Sequence, residues 1–122
     1  MDVSCPERLI LEHVTSRWGV LVLCELLDGA ALRFSELRRA VGGVSEKMLT
    51  QTLRTLERDG FVLRRALPVI PPHVTYSLTP LGREAAGQVR ALSVWTAAAV
   101  PAVLSARTAY DAAHPPVGSP TL

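Results

Sequence analysis

Five polar side chains between residues 47 and 58 recur at a spacing that places them on one side of a helix. They are Lys47, Thr50, Gln51, Arg54 and Arg58, at positions i, i+3, i+4, i+7 and i+11. Lysine and arginine donate hydrogen bonds to guanine, glutamine pairs with adenine, and threonine bonds a phosphate or contacts a thymine methyl group. This polar stripe therefore predicts a surface that enters the major groove of double-stranded DNA. The alternative is the solvated face of an ordinary amphipathic helix.

The other side of the same segment is apolar, which predicts that it packs inward. Its residues lie at helical spacing and are Leu49, Leu53 and Leu56, with Met48 beside them. Ser45 is the expected N-cap and Gly60 occupies the C-terminal stop position, so the helix should run to about Asp59. Ser45 also belongs to the predicted DNA-binding surface.

A shorter helix precedes this one, across a turn that contains glycine. Phe34-Ser35-Glu36-Leu37 opens the shorter helix, with Ser35 as its expected cap, and Gly42-Gly43 breaks it. A short helix, a glycine-containing turn and a longer helix form the helix-turn-helix pattern of DNA-binding proteins. Two further helices are predicted upstream, at about 6–14 and 17–27, because apolar residues recur there at helical spacing.

After Gly60 the hydrophobic period changes from that of a helix to that of a strand. Alternating residues over 61–65 and 73–78 predict two antiparallel strands, and a short strand near 31–33 can pair with them. The connecting loop, 67–72, contains three prolines that stiffen it. A β-hairpin directly after a helix-turn-helix is a wing. The predicted fold class is therefore α+β, mainly α, of the winged helix-turn-helix type.

Three basic side chains flank the predicted wing and extend the DNA-binding surface: Arg64, Arg65 and His73. A hairpin can lay such residues along the minor groove or the backbone. Because alternate strand residues point to opposite faces, the three cannot all face DNA, and one arginine can instead cover the core with its stem. The charge distribution agrees, since residues 33–65 hold eight basic and four acidic residues in a chain of net charge +2. The alternative is a solvated basic face.

Thr79-Pro80 begins a last helix that carries more apolar surface than one small domain can cover. Pro101 is expected to kink or divide this helix near residue 100. We expect a two-fold homodimer built from the first and last helices. Its candidate interface residues are Leu9, Leu92, Trp95 and Val100. The alternative is that Trp95 caps the core of its own subunit. The predicted organisation is one winged-helix and dimerisation domain over 1–113, followed by a disordered tail over 114–122.

Composition and motifs exclude several other classes of protein. A chain of 122 residues with 48% hydrophobic and 20% charged residues suits one packed domain. It lacks a glycine-rich phosphate loop and any spaced set of catalytic or zinc-binding residues, so we expect no enzyme, no cofactor and no metal site. It also lacks a signal peptide, a disulfide framework and an uninterrupted apolar run of about eighteen residues. We therefore expect a cytoplasmic protein that does not enter a membrane.

Ordered motifs extend over about residues 5–96. They are Cys5-Pro6, Trp18 with Leu21-Val22-Leu23, Arg33-Phe34-Ser35-Glu36-Leu37, residues 45–51 and 53–60, residues 71–82, and Leu92 with Trp95. This ordered set resembles the HxlR family of bacterial winged-helix regulators. The chain departs from the family at Cys24, where arginine is common, and at Thr75, which replaces an acidic residue. It also continues beyond Trp95 with an alanine-rich segment and a proline-rich tail.

The resemblance implies a dimeric transcriptional regulator, more often a repressor, that binds near-palindromic operators. It also implies that an N-terminal cysteine, here Cys5, senses electrophiles or oxidants. Cys5 precedes Pro6 at the start of a predicted helix, where free backbone N–H groups and the helix dipole favour an anion. The alternative is a buried, inert cysteine near the dimer axis. Cys24 is a weaker candidate, because it lies in a largely apolar helix.

Two other functions are compatible with this fold. One is a winged-helix module that contacts protein, and the other is a regulator that responds to a small ligand without thiol sensing. Protein-contact modules usually lose the basic stripe, whereas Lys47, Gln51 and Arg54 are present here. The predicted partners are therefore double-stranded operator DNA and a second copy of the chain. Candidate effectors are an electrophile, an oxidant or another small molecule.

Overall fold

The computed structural model describes residues 5–117, which form five helices and three short strands. In chain order these are α1 (Pro6–Thr15), α2 (Arg17–Asp28), β1 (Leu32–Arg33), α3 (Phe34–Val41), α4 (Glu46–Arg58), β2 (Val62–Leu67), β3 (His73–Leu78) and α5 (Pro80–Ala113). The predicted mainly helical winged helix-turn-helix fold is confirmed, including the short third strand.

Six leucine side chains and one valine from α2, α3 and α4 form the centre of the core. The fully or almost fully buried members are Val22, Leu23, Leu26, Leu37, Leu49, Leu53 and Leu56. The predicted inward packing of the three leucines of α4 is confirmed. Met48 is 41% exposed, so the prediction that it also packs inward is wrong. It precedes Leu49 by one residue, about 100° around the helix, and therefore lies at the edge of the apolar face.

The sheet has the strand order β1-β3-β2, and both pairings are antiparallel. Tyr76 on the central strand pairs with Leu32 on one side and with Arg64 on the other. The next pair of neighbours, Arg33 and Arg65, both pair with Thr75. Cross-strand partners share a face and successive residues alternate, so Arg64 and Arg65 leave the sheet on opposite sides.

The caps of α3 and α4 differ in how well the sequence predicted them. The Ser45 hydroxyl accepts a hydrogen bond from the Met48 N–H at 3.1 Å, which confirms Ser45 as the cap of α4. The prediction that Ser35 caps α3 is wrong, because the N-cap is Arg33. Pairing of Arg33 with Thr75 holds its backbone extended, and the helix starts two residues earlier than a cap at Ser35 would place it. The Glu36 carboxylate accepts the hydrogen bond from the Arg33 N–H at 2.9 Å.

The chain leaves α4 through a left-handed glycine, as predicted. Gly60 has a φ of 82°, a conformation that glycine adopts without a steric penalty. Its N–H donates to the Glu57 carbonyl at 3.0 Å, and the Phe61 N–H donates to the Leu56 carbonyl at 2.9 Å. These two bonds satisfy the last carbonyl groups of α4 and direct the chain into β2.

The start of α5 lies against the turn that follows α4. The Thr79 hydroxyl donates to the Gly60 carbonyl at 2.5 Å and accepts from the Gly82 N–H at 2.9 Å. A Cβ atom on Gly82 would lie 1.9 Å from the Phe61 carbonyl oxygen. This close approach requires glycine at position 82. Further along, the Arg90 guanidinium donates to the Asp28 carboxylate at 2.7 Å, and this bond raises the pKa of Arg90.

α5 continues through Pro101, so this proline does not divide the helix, and the other half of the expectation, a kink, stays a prediction. Proline removes one backbone hydrogen bond, and the surrounding segment is rich in alanine, the strongest helix former. The described chain divides into two compact units, one ending at Arg90 and one beginning at Ala91. Residues 114–117 follow α5 without helix or strand, and the rest of the predicted tail lies outside the described residues.

α5 is the one helix of residues 5–117 whose length and composition would suffice to cross a membrane. It has 34 residues, its most apolar stretch has a mean hydropathy of 1.4, and 6% of that stretch is buried. Our expectation of no spanning segment considered only an uninterrupted apolar run. What α5 shares with membrane-spanning helices is an exposed apolar surface.

Candidate nucleic-acid interface

The exposed face of α4 carries the polar stripe that the sequence predicts. Lys47, Gln51, Arg54 and Arg58 are exposed, and Thr50 is half-buried. Ser45 is exposed at the N-terminus of the helix, where its oxygen caps the first turn. A hydroxyl that accepts one hydrogen bond still has a proton to donate, so Ser45 can also bond an external acceptor. One helix face therefore presents hydrogen-bonding groups along its whole length.

Within the part of the chain that the structure describes, the cations of this face form no ion pairs with acidic side chains. No ion pair within residues 5–117 involves Lys47, Arg54 or Arg58. Glu46, at the start of α4, instead lies 3.7 Å from the guanidinium of Arg38. Arg38 also donates to a backbone carbonyl of the helix-turn-helix turn, at 3.3 Å. The positive charge of the stripe thus remains available to an anionic ligand.

One wing arginine lies on the α4 side of the sheet. Arg64 is the direct cross-strand partner of Tyr76. Both residues line a cleft of about 370 Å³ against α4, together with Thr50 and Arg54. The structure therefore brings Arg64 and the polar stripe to one place, although they are separated along the chain by a turn and the start of a strand.

The other two basic residues of the predicted wing surface belong to a second cluster. Arg65 emerges from the opposite face of β2, the face that it shares with Thr75 and His73. The imidazole of His73 contacts the guanidinium of Arg33, which the sequence did not single out. The alternation expected of a strand thus separates Arg64 from Arg65 and His73.

The helix-turn-helix, the exposed stripe and the wing agree with one family of regulators. A family model described as HxlR-like helix-turn-helix matches residues 13–103. The chain belongs to the HxlR family. The HxlR resemblance proposed from the sequence motifs is thereby confirmed.

Relatives of this HxlR protein extend over most of its length. It is 58% identical over 104 residues to an uncharacterized HTH-type transcriptional regulator, YtfH, of Escherichia coli (strain K12), covering 85% of this chain and 82% of that one. The solved structure of ytfH from Salmonella typhimurium matches with a TM-score of 0.81 and 56% identity, over 88% of this chain and 95% of that one. The redox regulator HypR in its oxidized form matches with a TM-score of 0.70 and 35% identity, over 77% and 96%.

As a member of the HxlR family, the chain is a DNA-binding transcriptional regulator. This confirms the function that the polar stripe and the wing indicated. Repression and thiol sensing are finer statements, and they remain predictions. The identity of the contact residues is likewise a prediction.

A further polar contact between residues far apart in the sequence lies at the end of α4. His13, in the last turn of α1, lies with its Nδ1 2.5 Å from the Oδ2 of Asp59, the C-cap of α4. The two residues are 46 positions apart in the sequence. This pair joins α1 to the end of the helix that carries the polar stripe.

The two cysteines of this HxlR protein are both free and partly exposed. Cys5 is the N-cap residue of α1, and its side chain makes no capping hydrogen bond. Cys24 lies in α2, where its backbone carbonyl accepts a hydrogen bond from Arg90 at 2.9 Å. In the described chain, no group of three or more histidine, cysteine or acidic residues could hold a metal ion.

The predicted interface residues are exposed in the single chain. On α1, where no residue is buried, Leu9 is 41% exposed and is followed by Ile10 and Leu11, which are also exposed. In the second unit, Trp95 is 64% exposed, and Leu92 and Val100 are about half exposed. A tryptophan that capped the core of its own subunit would be largely covered.

Proposed function

We propose that this HxlR-family protein binds operator DNA by inserting α4 into the major groove, with the wing against the neighbouring backbone. The exposed face of α4, whose cations form no ion pair with an acidic residue of 5–117, carries the proposal. Lys47 and Gln51 lie in the first two turns, the region that contacts base edges in helix-turn-helix proteins, so we assign them to bases. We assign backbone contacts to Ser45, Thr50, Arg54, Arg58 and Arg64. Arg65 and His73 lie on the opposite face of the hairpin, so we do not assign them to the same DNA surface.

Replacing both Lys47 and Gln51 with alanine is expected to weaken operator binding at least about 30-fold, because each base contact contributes roughly 1–3 kcal/mol. Fluorescence anisotropy with operator and random duplexes measures the change. The loss should be larger for the operator. Gln88→Ala, at an exposed position of α5, is the matched control and should bind as wild type does. Equal affinities of the double variant and wild type, with the fold intact, would contradict the assignment.

We also propose that the protein acts as a two-fold homodimer. A second copy would cover the apolar side chains that the single chain leaves exposed on α1 and beyond Arg90. Two-fold symmetry would place two α4 helices about 34 Å apart, one turn of DNA. Burial of these apolar side chains against a second copy would explain why α5 resembles a membrane-spanning helix in composition. We therefore propose that another copy of the chain, and not lipid, covers this apolar surface. We also propose that the protein is located in the cytoplasm, together with its operator.

Cys5 is our candidate for an effector site, and repression is the mode of regulation that we propose. The related HypR is described as a redox regulator in an oxidized form. In this chain Cys5 is partly exposed at the N-terminus of α1, and α1 belongs to the proposed dimer surface. Oxidation of its thiol would change the packing of α1 and hence the angle between the two α4 helices. DNA would then be released and transcription would resume.

Treatment with diamide is expected to lower the operator affinity of wild-type protein at least about tenfold, and that of Cys5→Ser not at all. Diamide takes up two electrons and two protons while two thiols form a disulfide. Cys24→Ser identifies the second thiol, because it abolishes the response if Cys24 is the partner and preserves it if the partner is Cys5 of another copy. Mass spectrometry reports the bond. Undiminished DNA affinity after proven oxidation of Cys5 would defeat the redox proposal.

A further inference from the structure

The cleft between α4 and the wing gathers polar side chains from two elements that are built independently. Its volume is about 370 Å³, within the range of small-ligand sites. The lining residues are Thr50, Leu53, Arg54, Glu57, Arg64 and Tyr76. Leu53 belongs to the buried core, so it forms the apolar floor below the polar groups.

Backbone geometry fixes where these polar groups stand. Thr50 and Arg54 are four residues apart on α4, which places them on the same side of successive turns. Arg64 and Tyr76 are direct partners on β2 and β3 and therefore share one face of the sheet. Two guanidinium groups from separate elements thus line one cleft and present like charges to it.

Within the described chain, no ion pair offsets the two positive charges that line the cleft. Within residues 5–117, neither arginine has an acidic partner within ion-pair distance, and the Thr50 and Tyr76 hydroxyls form no internal hydrogen bond. Glu57 lines the cleft without pairing to either guanidinium. The cleft therefore offers two guanidinium groups and two hydroxyl donors to an anionic ligand.

We propose that this cleft is a phosphate site, which holds one backbone phosphodiester of the operator between Arg54 and Arg64. The inference rests on the proposed function and makes it specific. A phosphodiester carries one negative charge and two free oxygens, which match a guanidinium donor on each side with a hydroxyl beside it. Arg54 then fixes the register of α4 on the duplex and does not read sequence.

Glu57 gives the site a built-in opposing charge. Its carboxylate lines the same cleft and repels a bound phosphate, so it lowers affinity for DNA of any sequence. Glu57→Gln removes the charge at nearly constant size. This variant is expected to bind operator and random duplexes about two- to fivefold more tightly, with the larger gain at low salt.

The decisive comparison uses the full-length protein, its operator and a random duplex over a range of salt concentrations. Arg64→Ala is expected to weaken binding to both duplexes about tenfold and to reduce the slope of log affinity against log salt by about one. Arg107→Ala removes the same charge from the second unit and should leave both quantities unchanged. Arg64→Lys should keep the wild-type slope, and thermal melting reports whether each variant is folded.

A neutral methylphosphonate, placed at one backbone position at a time, locates the phosphate itself. One position should weaken wild-type binding about tenfold and have a smaller effect on Arg64→Ala, because that variant has already lost the Arg64 part of the same contact. The phosphate site is overturned if Arg64→Ala binds like Arg107→Ala, or if it alters base preference instead of overall affinity. A wild-type protein that binds no duplex would instead overturn the proposed function.

Discussion

Gly82→Ala is expected to lower the free energy of unfolding by about 3 kcal/mol or more, a large share of the roughly 5–15 kcal/mol by which native domains are stable. The added Cβ would lie 1.9 Å from the Phe61 carbonyl oxygen and 2.8 Å from its carbonyl carbon. Both are backbone atoms, so no side-chain rotation can relieve the overlap. The first turn of α5 would have to move away from the end of α4.

Urea unfolding followed by circular dichroism measures this effect, and α5 supplies its own control. Gly87 lies in the same helix and is exposed, and an added Cβ there meets nothing within 4 Å. Gly87→Ala is expected to be neutral or to stabilise the protein by about 0.5–1 kcal/mol, because alanine is the better helix former. Similar unfolding curves for the two variants would show that the approach of α5 to Phe61 is looser than the structure has it.

Trp95→Glu is expected to convert the dimer into a monomer and to weaken operator binding at least about 100-fold. A buried carboxylate has no partner in an apolar interface, so its desolvation opposes association. Separate monomers then bind each half-site without the high effective concentration that a tethered second copy provides. The 64% exposed indole of Trp95 in the single chain is the observation behind this expectation.

Sedimentation equilibrium at micromolar concentration measures the first part, and anisotropy with the operator measures the second. Gln88→Glu, at an exposed polar position earlier in α5, introduces the same charge and should remain dimeric. If the wild-type protein itself sediments as a monomer at this concentration, the exposed apolar surfaces of α1 and the second unit need another explanation.

Local sequence signals predicted the elements well where local interactions decide them. The leucines of α4, the cap at Ser45 and the left-handed Gly60 all follow from residue type and spacing. The two failures that follow have different causes, one a long-range contact and one the neighbouring residues. Strand pairing of Arg33 with Thr75 moves the start of α3 away from Ser35. The alanine-rich surroundings of Pro101 keep the helix continuous through a residue that usually interrupts one.

The site was predictable as a set of residue types but not as an arrangement. Helical spacing alone identified the stripe on α4. The convergence of Arg54 and Arg64 requires the hairpin register, and the pairing of His13 with Asp59 joins residues 46 positions apart. No periodicity in one sequence encodes such contacts, because they depend on how complete elements pack.

The central claim is that a dimer of this chain reads DNA through α4, and selection from a random duplex library tests it most directly. Wild-type protein is expected to enrich an inverted repeat whose half-site centres lie about 10–10.5 base pairs apart, or a multiple of that spacing. Gln51→Ala should relax the preference at one position of each half-site and leave the spacing unchanged. The account would be contradicted if folded wild-type protein enriched no sequence from the library. It would also be contradicted if Gln51→Ala kept the wild-type base preference at every position of the half-site.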